Sequence, residues 1–308
     1  MTDQRPHVGE RDQIHDGWDR QRPGQGARPI RAGWHRLPRA FGGGYYSFMP
    51  SIREQVKSRL SPENLRLAQS GMRMLREVYM APRRMLWRSQ IKDYPALPND
   101  RHWRSDIPVG LHWELQRGTI GYRYRDIPML KHPVEIALYM RLIWETKPST
   151  IIEIGTQSGG AAVWMADMLN LFSIPGSVVS VDLKPPVPSY KPGNVQFIRG
   201  DANDIGATLT DDLLASLPRP WLVIEDSAHT FVATLAVLRY FGDRLRSGEY
   251  IVIEDSNASE MGQADDGGPA KSIATFLRER PDFEIATGYC DHYGRNVTGN
   301  PNGYLRRK

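Results

Sequence analysis

Apolar positions fall along this chain in three regimes. In residues 1–44 they are sparse, and Arg22-Pro-Gly-Gln-Gly-Ala-Arg-Pro29 and Gly42-Gly43-Gly44 read as a flexible Arg/Gly/Pro-rich tail. Such a segment buries too little apolar surface to offset the entropy of ordering it. Residues 45–126 form a second, helical and loop region. From Ile52 to about Lys92, Val56, Leu60, Leu65, Leu67, Met72, Met74, Leu75 and Val78 are interleaved with Arg, Lys and Glu. Ser61-Pro-Glu-Asn64 supplies a helix start, with serine as cap and proline in the first turn. The stripe reads as core or as a subunit contact, with a basic amphipathic helix on a membrane surface as the weaker alternative. As a subunit contact it leads to the expectation of a homo-oligomer. Residues 93–126 carry Pro, Trp and Tyr without a clear period and predict a loop-rich lead into the main domain.

The third regime, residues 127–308, alternates between two periods. His132-Pro-Val-Glu135 opens a helix through Ile136, Leu138, Tyr139, Leu142 and Ile143, ending near Lys147-Pro148. Short apolar runs follow at Thr150–Ile154, Ser177–Val181, Val195–Ile198, Trp221–Glu225 and Tyr250–Glu254. Helical stretches lie between and after them, at Gly160–Phe172, Phe231–Phe241 and Ala270–Arg280. Weaker strands are expected at Phe283–Thr287 and Asn296–Thr298. Apolar strands separated by helices predict an α/β domain, with a mostly parallel sheet covered on both faces.

Composition narrows this only a little. The 308 residues are 40% hydrophobic and 24% charged, which permits a sizeable core. The net charge of +5 is scattered without a nucleic-acid motif, so it predicts solvated faces and no nucleic-acid partner. Cys290 is the single cysteine, excluding an intrachain disulfide and a zinc site built on several thiolates. No apolar run reaches the length of a membrane span or signal peptide, so no stable membrane insertion and a cytoplasmic location are expected.

The candidate chemistry sits where strands end, because ligands of open α/β sheets bind at the carboxyl ends of the strands. The first strand runs into Glu153-Ile-Gly155-Thr156-Gln-Ser158-Gly159-Gly160, a glycine turn opening a helix. It departs from the dinucleotide pattern because Gln157 stands at the second glycine position. The second strand ends at Asp182, able to accept from ribose hydroxyls. The third is followed by Gly200-Asp201, where an acid can meet an adenine amino group. Together these favour an adenosyl ligand. Strands four and five end in Glu225-Asp226-Ser-Ala-His229 and Glu254-Asp255. If those strands are neighbours, Asp226, Glu254 and Asp255 converge in one cleft, and three oxygen ligands suit Mg2+ or a similar hard cation. His229, three residues after Asp226, is placed to act as a general base.

With these residues the chain resembles the cephalosporin hydroxylase family of class I S-adenosylmethionine-dependent methyltransferase-fold proteins, which includes rhamnosyl O-methyltransferases. The resemblance covers about Gly121 to Lys308. It is carried by Ile127-Pro-Met-Leu-Lys131-His-Pro133, Lys147-Pro148, the glycine turn, Asp226-Ser-Ala-His229, Glu254-Asp255, Gly268-Pro269-Ala270, Phe276-Leu277 and Asn300-Pro-Asn-Gly-Tyr-Leu-Arg306. It implies a Rossmann-like sheet of seven strands whose last strand is antiparallel. It also implies S-adenosylmethionine at Gly155, Thr156, Gly159, Asp182 and Asp201, beside Glu153, and a divalent cation at Asp226, Glu254 and Asp255. The activity implied is O-methylation of a sugar hydroxyl on a glycosylated small-molecule acceptor, with His229 as base. Two rival readings are a hydroxylase-type tailoring protein acting with a partner and a cofactor-binding scaffold without catalysis. The loop Ser259–Gly268, with Asp265-Asp266, is expected to serve as a mobile lid.

Overall fold

The structure, a computed structural model, describes residues 61–97, 101–264 and 266–308. The tail 1–44, the start of the helical stretch before Ser61, and Asp265 lie outside the described residues.

Among the described residues the first element is a long helix, α1 (Pro62–Gln90), opening as the sequence predicts: Ser61 caps it, accepting from the Asn64 amide, and Pro62 occupies the first turn. A second helix, α2 (Val109–Gly121), stands inside the stretch expected to be loop. Gly110, Gly118 and Gly121 interrupt it, and the only residues it buries are His112 and Trp113. It therefore has no apolar stripe to read from the sequence. A hairpin of β1 (Arg123–Tyr124) and β2 (Ile127–Pro128) leads into α3 (Pro133–Thr146), which His132 caps and Lys147 terminates in the left-handed conformation.

The main sheet has seven strands: β3 (Thr150–Ile154), β4 (Ser177–Asp182), β5 (Val195–Arg199), β6 (Trp221–Glu225), β7 (Tyr250–Ile253), β8 (Phe283–Ile285) and β9 (Tyr304–Arg307). Their order is β5-β4-β3-β6-β7-β9-β8. All pairs are parallel except those of β9, which runs antiparallel to both β7 and β8. The seven-stranded, mostly parallel sheet is thus as expected, and the last strand is the antiparallel one. Strand character at Asn296–Thr298 is absent. Asn296 has φ +53°, which no ladder accommodates, and the closing strand lies further on, at Tyr304.

The remaining helices are α4 (Gly160–Leu171), the short α5 (Ile205–Thr208) and α6 (Asp211–Ser216), α7 (Phe231–Gly242), α8 (Gly268–Glu279) and α9 (Thr287–Cys290). Successive strand residues point to opposite faces, and both are covered. Ile152, Val179, Val223, Ile251 and Leu305 pack with Leu238, Phe241 and Phe276 of α7 and α8. Ile151, Val178, Leu222, Val252 and Tyr304 pack with Leu138, Leu142 and Met165 of α3 and α4. β3 and β6 are buried along their whole length.

The sheet reverses its order between β3 and β6, which opens a crevice at their carboxyl ends. Residues 101–107 are woven into the C-terminal segment near this end. Arg101 donates to Asn302 (2.8 Å), Asn296 (2.8 Å) and Asp291 (2.9 Å), and Asn296 returns its amide to the carbonyls of His102 and Arg104. Of the expected lid, Ser259–Gly262 are enclosed, Gln263, Ala264 and Asp266 are half-buried, and a Cβ on Gly262 would lie 3.0 Å from the Met80 carbonyl of α1. Asp266 accepts from the Phe231 amide (2.8 Å), fastening the loop to the start of α7.

Candidate active site

The crevice has a glycine-loop side and an acidic side, and they touch. Gly155 follows β3 with φ +100°, and a Cβ there would lie 2.0 Å from the Asp226 carbonyl oxygen, so only glycine fits. The Asp226 amide in turn donates to Ile154 O (2.8 Å). Gln157 holds φ +50°, keeping the turn without the second glycine. A Cβ on Gly160 would meet the Pro128 carbonyl at 2.3 Å, so the β1–β2 hairpin lies directly over the start of α4. Gly159, also left-handed, caps that helix.

Asp182 binds the glycine loop itself: its Oδ2 accepts from the amides of Thr156 and Gln157 (3.0 Å each). The Thr156 and Ser180 hydroxyls are 2.6 Å apart, and Ser180 donates to Glu153. Glu153 is fully enclosed, and burial raises its carboxyl to about 7. Asp201 caps the short turn after β5, accepting from the Asn203 amide and side chain (2.9 Å each). Above the loop lies a cavity of about 350 Å³ lined by Ile127, Pro128, Gln157, Ser158, Pro186 and Pro188. A second, of about 380 Å³, is lined by Arg141, Tyr250, Tyr289 and Arg306, near the amino end of β7 and away from these groups.

On the acidic side β6 and β7 are parallel neighbours, so their carboxyl ends lie side by side. Asp226, His229 and Asp255 each place one ligand atom within 4.8 Å of the others. His229 Nε2 lies 3.3 Å from Asp255 Oδ2 and 3.9 Å from Asp226 Oδ1. Both His229 (φ +54°) and Asp255 (φ +48°) are left-handed, a conformation costly for residues with a Cβ and concentrated at functional sites. Burial works against a charged imidazole, but Asp255 and Asp226 outweigh it and lift His229 above its ordinary value.

Glu254 stands apart from that trio. It is 4% exposed, and its Oε1 accepts from Tyr139 Oη (2.6 Å) and from Lys131 Nζ. Lys131 Nζ also lies 2.6 Å from Asp226 Oδ2. Burial raises Asp226 to about 6 and, with Asp226 beside it, Glu254 to about 7. Burial disfavours the Lys131 ammonium, but the two carboxylates outweigh it and hold it above the ordinary lysine value. The sequence places Lys131 in a motif and Tyr139 on a helix but assigns neither to the site. Their signal was present: a lysine flanked by Met129-Leu130, in a motif leading to a helix, is a residue whose burial demands a charge partner.

Nearby, the His112 and His132 rings pack at 5.4 Å with their planes inclined at 59°, and His112 bonds Ser105 and Asn257. Burial, with His132 beside it, lowers His112 to about 4, so it stays neutral.

Residues 117–308 match the family model described as Rhamnosyl O-methyltransferase/CmcI. Among curated proteins, the Rhamnosyl O-methyltransferase of Mycobacterium leprae (strain TN) is 29% identical over 191 residues, covering 60% of this chain and 82% of that protein. That of Mycobacterium tuberculosis (strain CDC 1551 / Oshkosh) is 29% identical over 193 residues, covering 60% and 77%. Among solved structures, an apo-structure of CmcI is 26% identical, with a TM-score of 0.50, covering 70% of this chain and 89% of that one.

Proposed function

The chain belongs to the Rhamnosyl O-methyltransferase/CmcI family, an S-adenosylmethionine-dependent O-methyltransferase type, and from that premise we propose that it methylates a sugar hydroxyl of a glycosylated natural product or glycolipid with the help of a divalent cation. One observation carries the reading: the glycine loop and the acidic strand end are in contact, and His229 Nε2 faces Asp226 and Asp255 beside them.

Gly155, Thr156 and Gly159 would hold the cofactor, with Asp182 fixing the loop, Glu153 behind it and Asp201 at the adenine end. The donor set fits a hard cation, being carboxylate oxygens at two adjacent strand ends. Asp226, Asp255 and the second oxygen of Glu254 would hold it. When bound, the cofactor supplies an electrophilic methyl group and the cation a Lewis acid that lowers the pKa of an acceptor hydroxyl.

The chain's own residues do the rest. His229 Nε2 takes the acceptor's hydroxyl proton, and Asp255 and Asp226 stabilise the imidazolium that forms. Lys131 and Tyr139 keep Glu254 in place. The acceptor enters over the hairpin and the residues before Lys131. Among the described residues no helix is long and apolar enough to cross a membrane. A cytoplasmic enzyme is our reading. On α1, Leu67, Met74, Leu75, Val78, Tyr79, Met85 and Leu86 are exposed, which supports a homo-oligomer formed through that helix.

The test is incubation of the purified protein with labelled S-adenosylmethionine and a panel of glycosylated acceptors, with Mg2+ or with a chelator. Metal-dependent label in a sugar is expected. Label that enters an acceptor equally well under chelation removes the cation from the reading.

A further inference from the structure

Lys131 takes no part in the proton transfer read above, yet its charge is deeply enclosed at the site. Its side chain is 1% exposed. It enters from the segment between β2 and α3 and crosses to the ends of two adjacent strands, contacting Asp226 Oδ2 at 2.6 Å and Glu254 Oε1. Tyr139 fixes the same Glu254 oxygen, and Lys131 Nζ lies 5.8 Å from the centre of the Tyr139 ring. An interior ammonium is tolerated only with such partners.

The charges can be counted. Asp226, Glu254 and Asp255 carry three negative charges when ionised, and Lys131 cancels one of them. Glu153 is within electrostatic reach of Lys131, but it belongs to the glycine-loop side, on Ser180, and not to this cluster. With the His229 imidazole neutral, as its role as base requires, two negative charges remain in the cluster, the complement of one divalent ion. The lysine also sorts the oxygens. It holds Oδ2 of Asp226 and Oε1 of Glu254, while Asp226 Oδ1 and Asp255 Oδ2 face His229.

We propose that Lys131 is the built-in counter-cation of this acidic cluster, setting the seat's net charge and so its preference for a divalent over a trivalent ion. It is a positioning residue, acting through Asp226 and Glu254. The inference rests on the cation reading of the previous subsection.

The test measures ion binding by the full chain, independently of methyl transfer. MnCl2 and TbCl3 are titrated into the wild type and Lys131→Met, with thermal unfolding recorded with and without Mn2+. Without its lysine the seat carries one more negative charge. Mn2+ is expected to bind at least about tenfold more tightly, and the ratio of Tb3+ to Mn2+ affinity to rise at least about tenfold further. The ion-free variant should melt lower than the wild type and recover most of the loss with Mn2+. A lower melting temperature with both affinities unchanged within about twofold makes Lys131 mere scaffolding and overturns the inference. If Lys131→Met does not fold, the pair Glu254→Gln and Lys131→Met with Glu254→Gln decides. The single change should lower the Tb3+ to Mn2+ ratio, and adding the lysine change should return it to within about threefold of wild type. A ratio that stays low overturns the proposal. A wild type that binds neither ion overturns the cation reading itself, a failure visible before any substitution is made.

Discussion

Glu135 on α3 and the Asp226–Glu254–Asp255 cluster at the ends of β6 and β7 both include buried carboxylate, Glu135 wholly and the cluster through Glu254 with Asp255 at its exposed edge, and they are satisfied in opposite ways. Glu135 is met entirely by neutral donors. The Thr298 hydroxyl (2.6 Å) and Gly299 amide (2.9 Å) reach Oε1, while the Asn300 amide (3.0 Å) and Tyr304 hydroxyl reach Oε2. The acidic cluster is met by one cation, a tyrosine hydroxyl and a titratable imidazole. A carboxylate enclosed by fixed neutral donors is closed to exchange and serves as a latch for the C-terminal segment. Carboxylates facing an imidazole keep oxygens that a ligand can use. Asn300 joins the two, because its Oδ1 accepts from the Asp255 amide (2.9 Å) while its amide serves Glu135.

The comparison breaks most sharply at His229. His229→Ala or Asp226→Ala should abolish methyl transfer, a loss of roughly 10²–10⁴ in kcat for the base. S-adenosylmethionine affinity, read by calorimetry, should stay within about threefold. Retained activity in both variants removes the acidic cluster from catalysis.

Glu135→Ala should show the reverse pattern. It leaves four donors without their acceptor and is expected to cost about 4 kcal/mol in urea unfolding. A cost below about 1 kcal/mol would show that the latch is not structural.

A pH series sharpens the same contrast. Burial raises the Glu135 carboxyl to about 7 from 4.5. The folded chain therefore holds this proton more tightly than the unfolded chain does. The resulting stability is fully present below about pH 4.5 and is lost as pH rises through about 7. Glu135→Gln should flatten that decline relative to wild type in unfolding experiments. Equal slopes in the two proteins would refute the assignment.

Asn300→Ala tests the link between the clusters and carries the smallest expected effect. Stability should fall by about 1–2 kcal/mol, and kcat should drop more than KM changes, since the Asp255 backbone loses its anchor. Unchanged kcat would mean that the latch and the site are independent.

Much of the fold was legible because its signals are local. Strand period, helix caps at Ser61 and His132, and polar residues at strand ends are properties of neighbouring residues. Long-range features were not. The helix α2 hides behind its three glycines, and the loop Ser256–Gly262 is covered by chain distant in sequence. Lys131 stands 95 residues from Asp226 and 123 from Glu254, so nothing near it in the sequence states its partners.

By itself the sequence determined the alternating α/β architecture, the family and the residues at the strand ends, since these follow from periodicity and from motifs that are contiguous. The tertiary structure alone decided how those residues share their charge. It joined Lys131 and Tyr139 to Glu254, turned His229 toward Asp226 and Asp255, and closed Glu135 with donors from the last strand region. The physical reason is that charge compensation depends on distance in space, and three separate loops meet only after the sheet has assembled.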